Sequence, residues 1–366
     1  MKIGIDARFT STDSGIGRYE RQFIPLVVKQ LADIQFVIFV LPDSKLSLTG
    51  NNIQIVELPY RWYSWQEQLI LPWIYYKFNL DLLHVPHFNV PWLYRKKIIL
   101  TIHDLILFDH PDSQATTRNK LIYYIKYRLF KLFISSAIKR AQQIITVSQF
   151  SADDIIKHWP KVRNQIQVIH LASNYAVEKP NSLSRDKTLL YVGNSYPHKN
   201  LKFLIQAFCQ FRANQPDFKL LIVGNKDYFS SQLNLWVGQN FSTEAQEHIQ
   251  FIFNLTDDEL HKLYLNSFAF VTASLHEGFG LPGLEAMSLG LPVLSSNATC
   301  LPEIYGQAAQ YFEPKDAASF VRAASELTNM PQLYSDLIDR GLARANEYSW
   351  QLCANQTAEV YLLDKK

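Results

Sequence analysis

Short runs of β-branched and aliphatic residues recur along the first half of the chain: KIGIDA, FVIFVLP, IQIVELP, DLLHVP, KIILTIHD and QIITVS. Between them lie longer stretches whose apolar residues return every three or four positions. Strands buried on both faces read as uninterrupted apolar runs, and parallel strands need a crossover helix between them. The pattern therefore predicts parallel α/β architecture. The second half repeats it: LLYVGN at 189–194 and LLIVGN at 220–225 are near copies 31 residues apart, about one strand, helix and strand unit, and IQFIFN, FAFVTAS and PVLSSN follow. Two doubly wound sheets in tandem are expected, with ligand at the carboxyl ends of the strands and hence in a cleft between the two domains.

The length of 366 residues and a 48% hydrophobic content support two domains with real cores and exclude disorder, collagen and coiled coil. Polar, Pro and Ser residues at 173–186 (SNYAVEKPNSLSRD) mark a linker between an N-terminal domain, 1–172 with a C-terminal helix at 350–366, and a C-terminal domain, 187–349. Residues 1–180 carry 22 Lys and Arg against 14 Asp and Glu, whereas the remainder carries 14 against 19, so a net charge of +3 conceals a basic half and an acidic half. Cys209, Cys300 and Cys353 are too few and too scattered for a disulfide framework or a structural zinc site. With MKIGIDARF reading as a strand that carries an Asp and an Arg, and no apolar stretch long enough to span a bilayer, a cytoplasmic protein is expected.

Thirteen glycines are about half the usual frequency of roughly 7%, so their clusters carry information. The first, Gly15 and Gly17, follows the first strand and precedes a helical stretch; it suits either a plain strand-to-helix turn or a backbone that lets a phosphate approach a helix start. It lacks the third glycine of a dinucleotide fingerprint, and no acidic residue stands about 20 positions on, which argues against a dehydrogenase. The second cluster, HEGFGLPGLEAM at 276–287, follows a buried strand and opens a helix near Pro282. Its glycines expose main-chain donors suited to an anion, and Glu277 and Glu285 could reach different parts of one extended ligand, or simply cap and solvate the helix.

With these segments the chain resembles the retaining glycosyltransferases of family 4, which have the GT-B fold of two Rossmann-like domains facing across a cleft. EGFGLPGLE looks like the family's Glu-x7-Glu motif, and YVGNSYPHKN, TIHDLILFDHP, TVSQFSADDI, LPEIYGQAAQYFEP and YSWQLCANQTAEVYL resemble family segments in the family's order. The subset is similar to bacterial mannosyl- and rhamnosyltransferases of polysaccharide assembly. The resemblance implies that Glu277 holds the donor sugar, Glu285 the ribose hydroxyls, and the main chain at Phe279, Gly280 and Leu281 the sugar and phosphate. Lys199 would neutralise the pyrophosphate beside Asn194, where many members carry Arg. Gly15 and Gly17 would face the phosphates across the cleft, His103 would contact the transferred sugar, and Asp104 would orient an acceptor hydroxyl. His170 and Ala172 replace the Pro and Gly that often close the interdomain strand.

The reaction so implied moves a hexose, mannose or rhamnose favoured, from a nucleotide-diphosphate sugar to a glycan or lipid-linked acceptor with retention. Fixed positive charge on the leaving group would take the place of a metal; no metal site and no cofactor beyond the donor substrate are expected, and Asp153 and Asp154 point different ways on a helix. A GT-B epimerase or synthase with a small acceptor, and an inactive nucleotide-sugar sensor, are the competing readings. Arg118, Lys120, Lys126, Arg128, Lys131, Lys139 and Arg140 are interleaved with aromatic and aliphatic residues, and no acid occurs between Asp112 and Asp153. Trp62, Tyr63, Trp65, Trp73, Tyr75 and Tyr76 form a second aromatic group. Residues 118–140 fit either peripheral attachment to an anionic membrane face or a helix packed on the sheet with its cations in water. Nucleic acid is not an expected partner, because no recognised motif accompanies the charge.

Overall fold

The computed structural model describes residues 1–109, 120–179 and 185–363. The chain divides into two compact units, Met1–Leu171 with Ser349–Lys366, and Ala172–Tyr348. Residues 173–186, read as a linker, fall within the second unit, and Asp186 already opens a strand; 180–184 lie outside the described residues.

In the first unit β1 (Lys2–Asp6), β2 (Gln35–Val40), β3 (Ile53–Glu57), β4 (Leu82–Val85), β5 (Ile98–Ile102), β6 (Gln143–Thr146) and β7 (Ile166–Val168) form one sheet in the order β3-β2-β1-β4-β5-β6-β7. Every pairing is parallel. The central strands β4 and β5 are buried along their whole length, as two covered faces demand, while β3 at the edge is nowhere fully buried and leaves Ile55 45% exposed. Helix Gly15–Gln30 presents Tyr19, Phe23, Ile24, Val27 and Val28 inward, at the spacing of one helical face. The closing helix Trp350–Leu362 packs against it, and a neutral network holds this end of the chain to the sheet: His84 shares hydrogen bonds of 2.6 Å with the Tyr361 hydroxyl and 2.9 Å with Thr101, which Tyr19 also meets. Burial, with His103 adding to it, lowers His84 to about 3, so it stays uncharged.

The second unit holds β8 (Asp186–Val192), β9 (Lys219–Gly224), β10 (Ile249–Phe253), β11 (Ser267–Thr272), β12 (Val293–Ser296) and β13 (Ala309–Phe312), all parallel, in the order β10-β9-β8-β11-β12-β13. Its core runs from Leu189 and Leu220 in the sheet to Phe208 and Phe211 on helix Leu201–Arg212 and Phe320 on helix Ala317–Asn329. The two near-identical VGN segments end neighbouring strands. A Cβ on Gly224 would stand 2.2 Å from the Gly193 carbonyl oxygen, so close main-chain approach explains the repeated glycine.

One buried charge in the first unit stands apart. Glu20 on helix Gly15–Gln30 is fully enclosed, neither carboxyl oxygen has a hydrogen-bond partner, and burial, reinforced by Asp6, pushes its pKa well up despite the opposing Arg8. A carboxyl protonated in the fold but ionised in the unfolded chain favours unfolding increasingly as pH rises above the ordinary glutamate value of about 4.3. Glu20→Gln removes that penalty. By calorimetry the variant is expected to melt a few degrees above the parent at pH 8 and level with it at pH 4; a lower midpoint at pH 8 would contradict the neutral assignment.

Candidate active site

In each sheet the strand order reverses once, between β1 and β4 and between β8 and β11, and the loops leaving those carboxyl ends part to opposite faces. Ligands of open parallel sheets bind at such points. In the second unit, β8 runs into Gly193 and a 3-10 turn, Pro197–Lys199, after which Asn200 takes a left-handed conformation and starts helix Leu201–Arg212. The Leu275 amide donates to the His198 carbonyl at 2.7 Å, stitching this turn to the loop after β11.

That stitch sets Lys199 against Glu277, with Nζ 2.6 Å from Oε1 and both side chains about 15% exposed, at 16% and 15%. Ser274 Oγ donates to the same oxygen at 2.7 Å. The Glu277 amide donates to Thr299 Oγ1 at 3.0 Å, which fixes the backbone of the loop. Burial alone would raise the Glu277 carboxyl; the Lys199 ammonium and the hydrogen bonds from Lys199 and Ser274 outweigh it and hold the group below its ordinary value. It is an ionised carboxylate beside an ammonium at neutral pH.

Gly280, at φ +87°, caps helix Leu281–Ser288, whose first turn contains Pro282. Tyr305, itself buried, donates to the Gly280 carbonyl at 2.6 Å, and its hydroxyl would lie 2.5 Å from a Cβ on Gly280 and 2.2 Å from one on Gly283. Both glycines are thus required by the protein's own packing as well as by any ligand. Phe279 is buried edge-on against Tyr348, and Leu281 is buried, so only main-chain groups of this turn can serve a ligand. Asn194 accepts from the Tyr196 amide through Oδ1 and from the Tyr191 hydroxyl through its carbonyl. Glu285 is fully buried and accepts from Tyr264 at 3.2 Å. The structure joins Lys199 and Glu277, and keeps Glu285 beneath the surface.

In the first unit, Ser14 caps helix Gly15–Gln30 by accepting from the Gly17 amide at 3.2 Å. A Cβ on Gly17 would meet the Thr12 and Phe9 carbonyls at 2.4 and 2.5 Å, whereas Gly15 has open space around it. His103, just past β5, donates from Nε2 to the Pro86 carbonyl at 3.2 Å; a carbonyl only accepts, so Nδ1 carries the lone pair. Burial lowers His103 to about 4, against the pull of Pro86, leaving a neutral imidazole at pH 7. The adjacent Asp104 is half-buried and accepts from the Ile106 amide at 2.9 Å.

A group that sequence reasoning did not assemble lies beside them. Arg8, fully buried, donates to both oxygens of Asp6 at 2.7 Å, to Glu67 Oε1 at 2.6 Å and to the Tyr60 carbonyl. Glu67 also accepts from Asn89 at 2.7 Å and from the Tyr63 amide at 2.9 Å, and the Tyr63 hydroxyl meets His87 Nε2 at 2.8 Å. The rings of His87 and His103 are 6.4 Å apart. Of this group, Asp6, Arg8 and Tyr63 stand out in the sequence; nothing in the spacing announces Glu67 or His87.

Among the described residues a single trio has the composition for a cation, Asp109, Asp154 and His158, with ligand atoms within 4.8 Å of one another. Asp154 and His158 share a helix face at i and i+4, while Asp153 turns away to Gln149, as two adjacent helical positions must. Asp109 and His158 are already paired at 3.0 Å.

Two family models divide the chain between them: "Glycosyltransferase Family 4" matches residues 30–173 and "Glycosyl transferases group 1" matches 176–344. The O-antigen chain mannosyltransferase B of Escherichia coli is 29% identical over 297 residues, 77% of this chain and 74% of its own length. The O-antigen chain mannosyltransferase RfbU of Salmonella typhimurium is 27% identical over 345 residues, 90% of this chain and 91% of its own. Among solved structures, the sucrose-phosphate synthase of Thermosynechococcus elongatus superimposes with a TM-score of 0.79 at 17% identity over 100% of both chains, a likeness of fold. A seven-stranded and a six-stranded parallel sheet, a basic and an acidic side chain paired at the second switch point, and matches to both halves agree: the chain belongs to the family 4 glycosyltransferases of GT-B fold.

Proposed function

We propose that the protein transfers a hexose, mannose before rhamnose, from a nucleotide-diphosphate sugar to a glycan or lipid-linked acceptor, with retention at the anomeric carbon. The observation that carries this reading is the Lys199 and Glu277 pair beside the start of helix Leu281–Ser288. The ammonium has two further N–H groups for a diphosphate oxygen, and the helix start adds a positive dipole end. Glu277 Oε2 accepts sugar hydroxyls. As the glycosidic C–O bond breaks, negative charge grows on the departing phosphate, and preorganised positive groups lower that barrier most. In this reading the β-phosphate oxygen takes the acceptor's proton during same-face attack, the protein supplies no nucleophile, and no divalent ion is required. The mannosyltransferase relatives support the choice of sugar.

The first unit supports contact with an anionic membrane face. No helix of the described residues is long and apolar enough to cross a bilayer. Of the 118–140 segment, Arg118 and the side chains of Lys120 and Lys126 lie outside the described residues. In helix Lys120–Arg140, Ile134, Ala137 and Ile138 face the core, yet Ile125, Leu129 and Leu132 stand exposed, Leu132 at 64%. Phe133 leads to Trp92, under the Arg95 guanidinium at 4.6 Å, and Tyr76 donates its hydroxyl to the Leu93 carbonyl while its ring packs against the exposed Trp73. Exposed aliphatic and indole side chains among cations are what a headgroup interface binds.

Lys199→Ala and Glu277→Gln are each expected to lower kcat about a hundredfold with the donor that stabilises the protein most in a thermal-shift panel of GDP-, UDP- and dTDP-sugars. Parental rates in either variant would refute the site. Turnover is expected to survive EDTA; its loss, restored by Mg2+ or Mn2+, would refute the metal-free reading. In flotation, the protein should rise with vesicles containing anionic lipid at low salt and sink in high salt, and Trp73→Ala with Leu132→Ser should weaken its recovery several-fold. Protein that stays at the bottom at low salt counts against attachment.

A further inference from the structure

Tyr63 is an outlier twice over. Its φ of +58° places a bulky residue in the left-handed region, where glycine or asparagine sits at less cost, and the residue is nonetheless 52% exposed, so burial repays the conformation only in part. The surrounding protein enforces it from both ends. Glu67 Oε2 takes the Tyr63 amide at 2.9 Å, and Glu67 is itself pinned by the buried guanidinium of Arg8 and by Asn89. At the far end His87 holds the hydroxyl at 2.8 Å, while Phe9 packs edge-on against His87 and stacks on Trp62 at 4.3 Å, next in the chain to Tyr63. A buried ion pair is a poor way to gain stability but a good way to fix one geometry.

We infer that Tyr63 is a stacking platform for a pyranose ring of the acceptor, with Arg8 and Glu67 as its positioning residues. The ring is immobilised before anything binds, so stacking on it loses little side-chain entropy. Its location fits: its hydroxyl meets His87, whose ring centre lies 6.4 Å from that of His103, the residue before Asp104. A sugar laid with its C–H face on the ring would turn its hydroxyl edge toward acceptors of this kind, the Asp104 carboxylate and the lone pair on His103 Nδ1. This inference rests on the reading that the acceptor is a glycan.

Octyl α-mannoside serves as acceptor probe and GDP-mannose as donor. Tyr63→Ala and Tyr63→Gly are expected to raise the acceptor KM about tenfold, with kcat moving far less, and Tyr63→Phe, which keeps the ring, to stay within about threefold of the parent. Tyr63→Gly relieves the left-handed backbone but removes the hydroxyl bonded to buried His87, so its melting temperature should stay within a few degrees of the parent while affinity falls, which misfolding cannot imitate. Saturation transfer from the parent protein to the mannoside ring protons should be strong and should fade in Tyr63→Ala. Parental KM in both the Ala and Gly variants, or no saturation transfer from the parent protein, overturns the platform. If transfer from GDP-mannose proceeds in the parent and the Tyr63 variants match it, the platform alone falls; if no donor supports transfer yet saturation depends on Tyr63, the proposed reaction falls and the platform stands.

Discussion

Parallel pairing is the constraint from which the rest follows. Thirteen strands among the described residues pair only in parallel, so within each sheet every carboxyl end emerges on one edge, and every return must cross a face as a helix or long connection. Where the order reverses, two successive loops leave in opposite directions and open a gap in that edge. In the first unit the gap collects Arg8, Gly15, His87 and His103; in the second it collects Gly193, Lys199, Ser274 and Glu277. Residues 78 positions apart in sequence, Lys199 and Glu277, meet because β8 and β11 are neighbours in space.

The two units handle charge differently, and the difference matches what each must do. Arg8, Asp6 and Glu67 are sealed, with no side chain more than 2% exposed, and all their bonds run to protein. Desolvating such a group costs about as much as its attraction returns, so its yield is orientation of the 60–67 segment. Glu20 makes the excess of acid explicit: with three carboxyls near one guanidinium, burial and Asp6 push the pKa of the one outside the ion-pair triad well up. Lys199 and Glu277 instead keep a solvent-facing edge. A pair that is shielded yet reachable can exchange part of its mutual attraction for a ligand's oxygens, which a sealed triad cannot do.

Much of this architecture was legible because buried strands announce themselves as apolar runs; the eleven runs read from the sequence each coincide with a strand. The three-residue β7 and the four-residue β13 are too short and too mixed to stand out by periodicity. Lys199 and Glu277 were nameable only through the motifs around them, since spacing cannot say that two loops will be stitched by a Leu275 to His198 hydrogen bond. Glu285 shows the opposite limit. The motif names a glutamate eight residues beyond Glu277 as a second ligand, but not that helix Leu281–Ser288 is buried on nearly all sides or that this carboxylate accepts from Tyr264. Glu67 and His87 left no trace in the sequence pattern and Tyr63 showed only as one of an aromatic group, because their meeting depends on a left-handed residue in a loop.

The glycines bear on how such motifs should be interpreted. Gly17, Gly280 and Gly283 each lack room for a Cβ because a carbonyl or the Tyr305 hydroxyl of the same unit occupies that space. Their presence would be demanded in this fold even if no phosphate ever approached, so a glycine-rich signature at a helix start is weaker testimony for an anion than its wording suggests. Gly15 differs: nothing lies within 4 Å of where its Cβ would be, and a side chain there would cost the fold no clash. Of the four, it is the one whose lack of a side chain the protein's own packing does not explain, so packing and any role toward a ligand are separable there by substitution, as they are not at the other three.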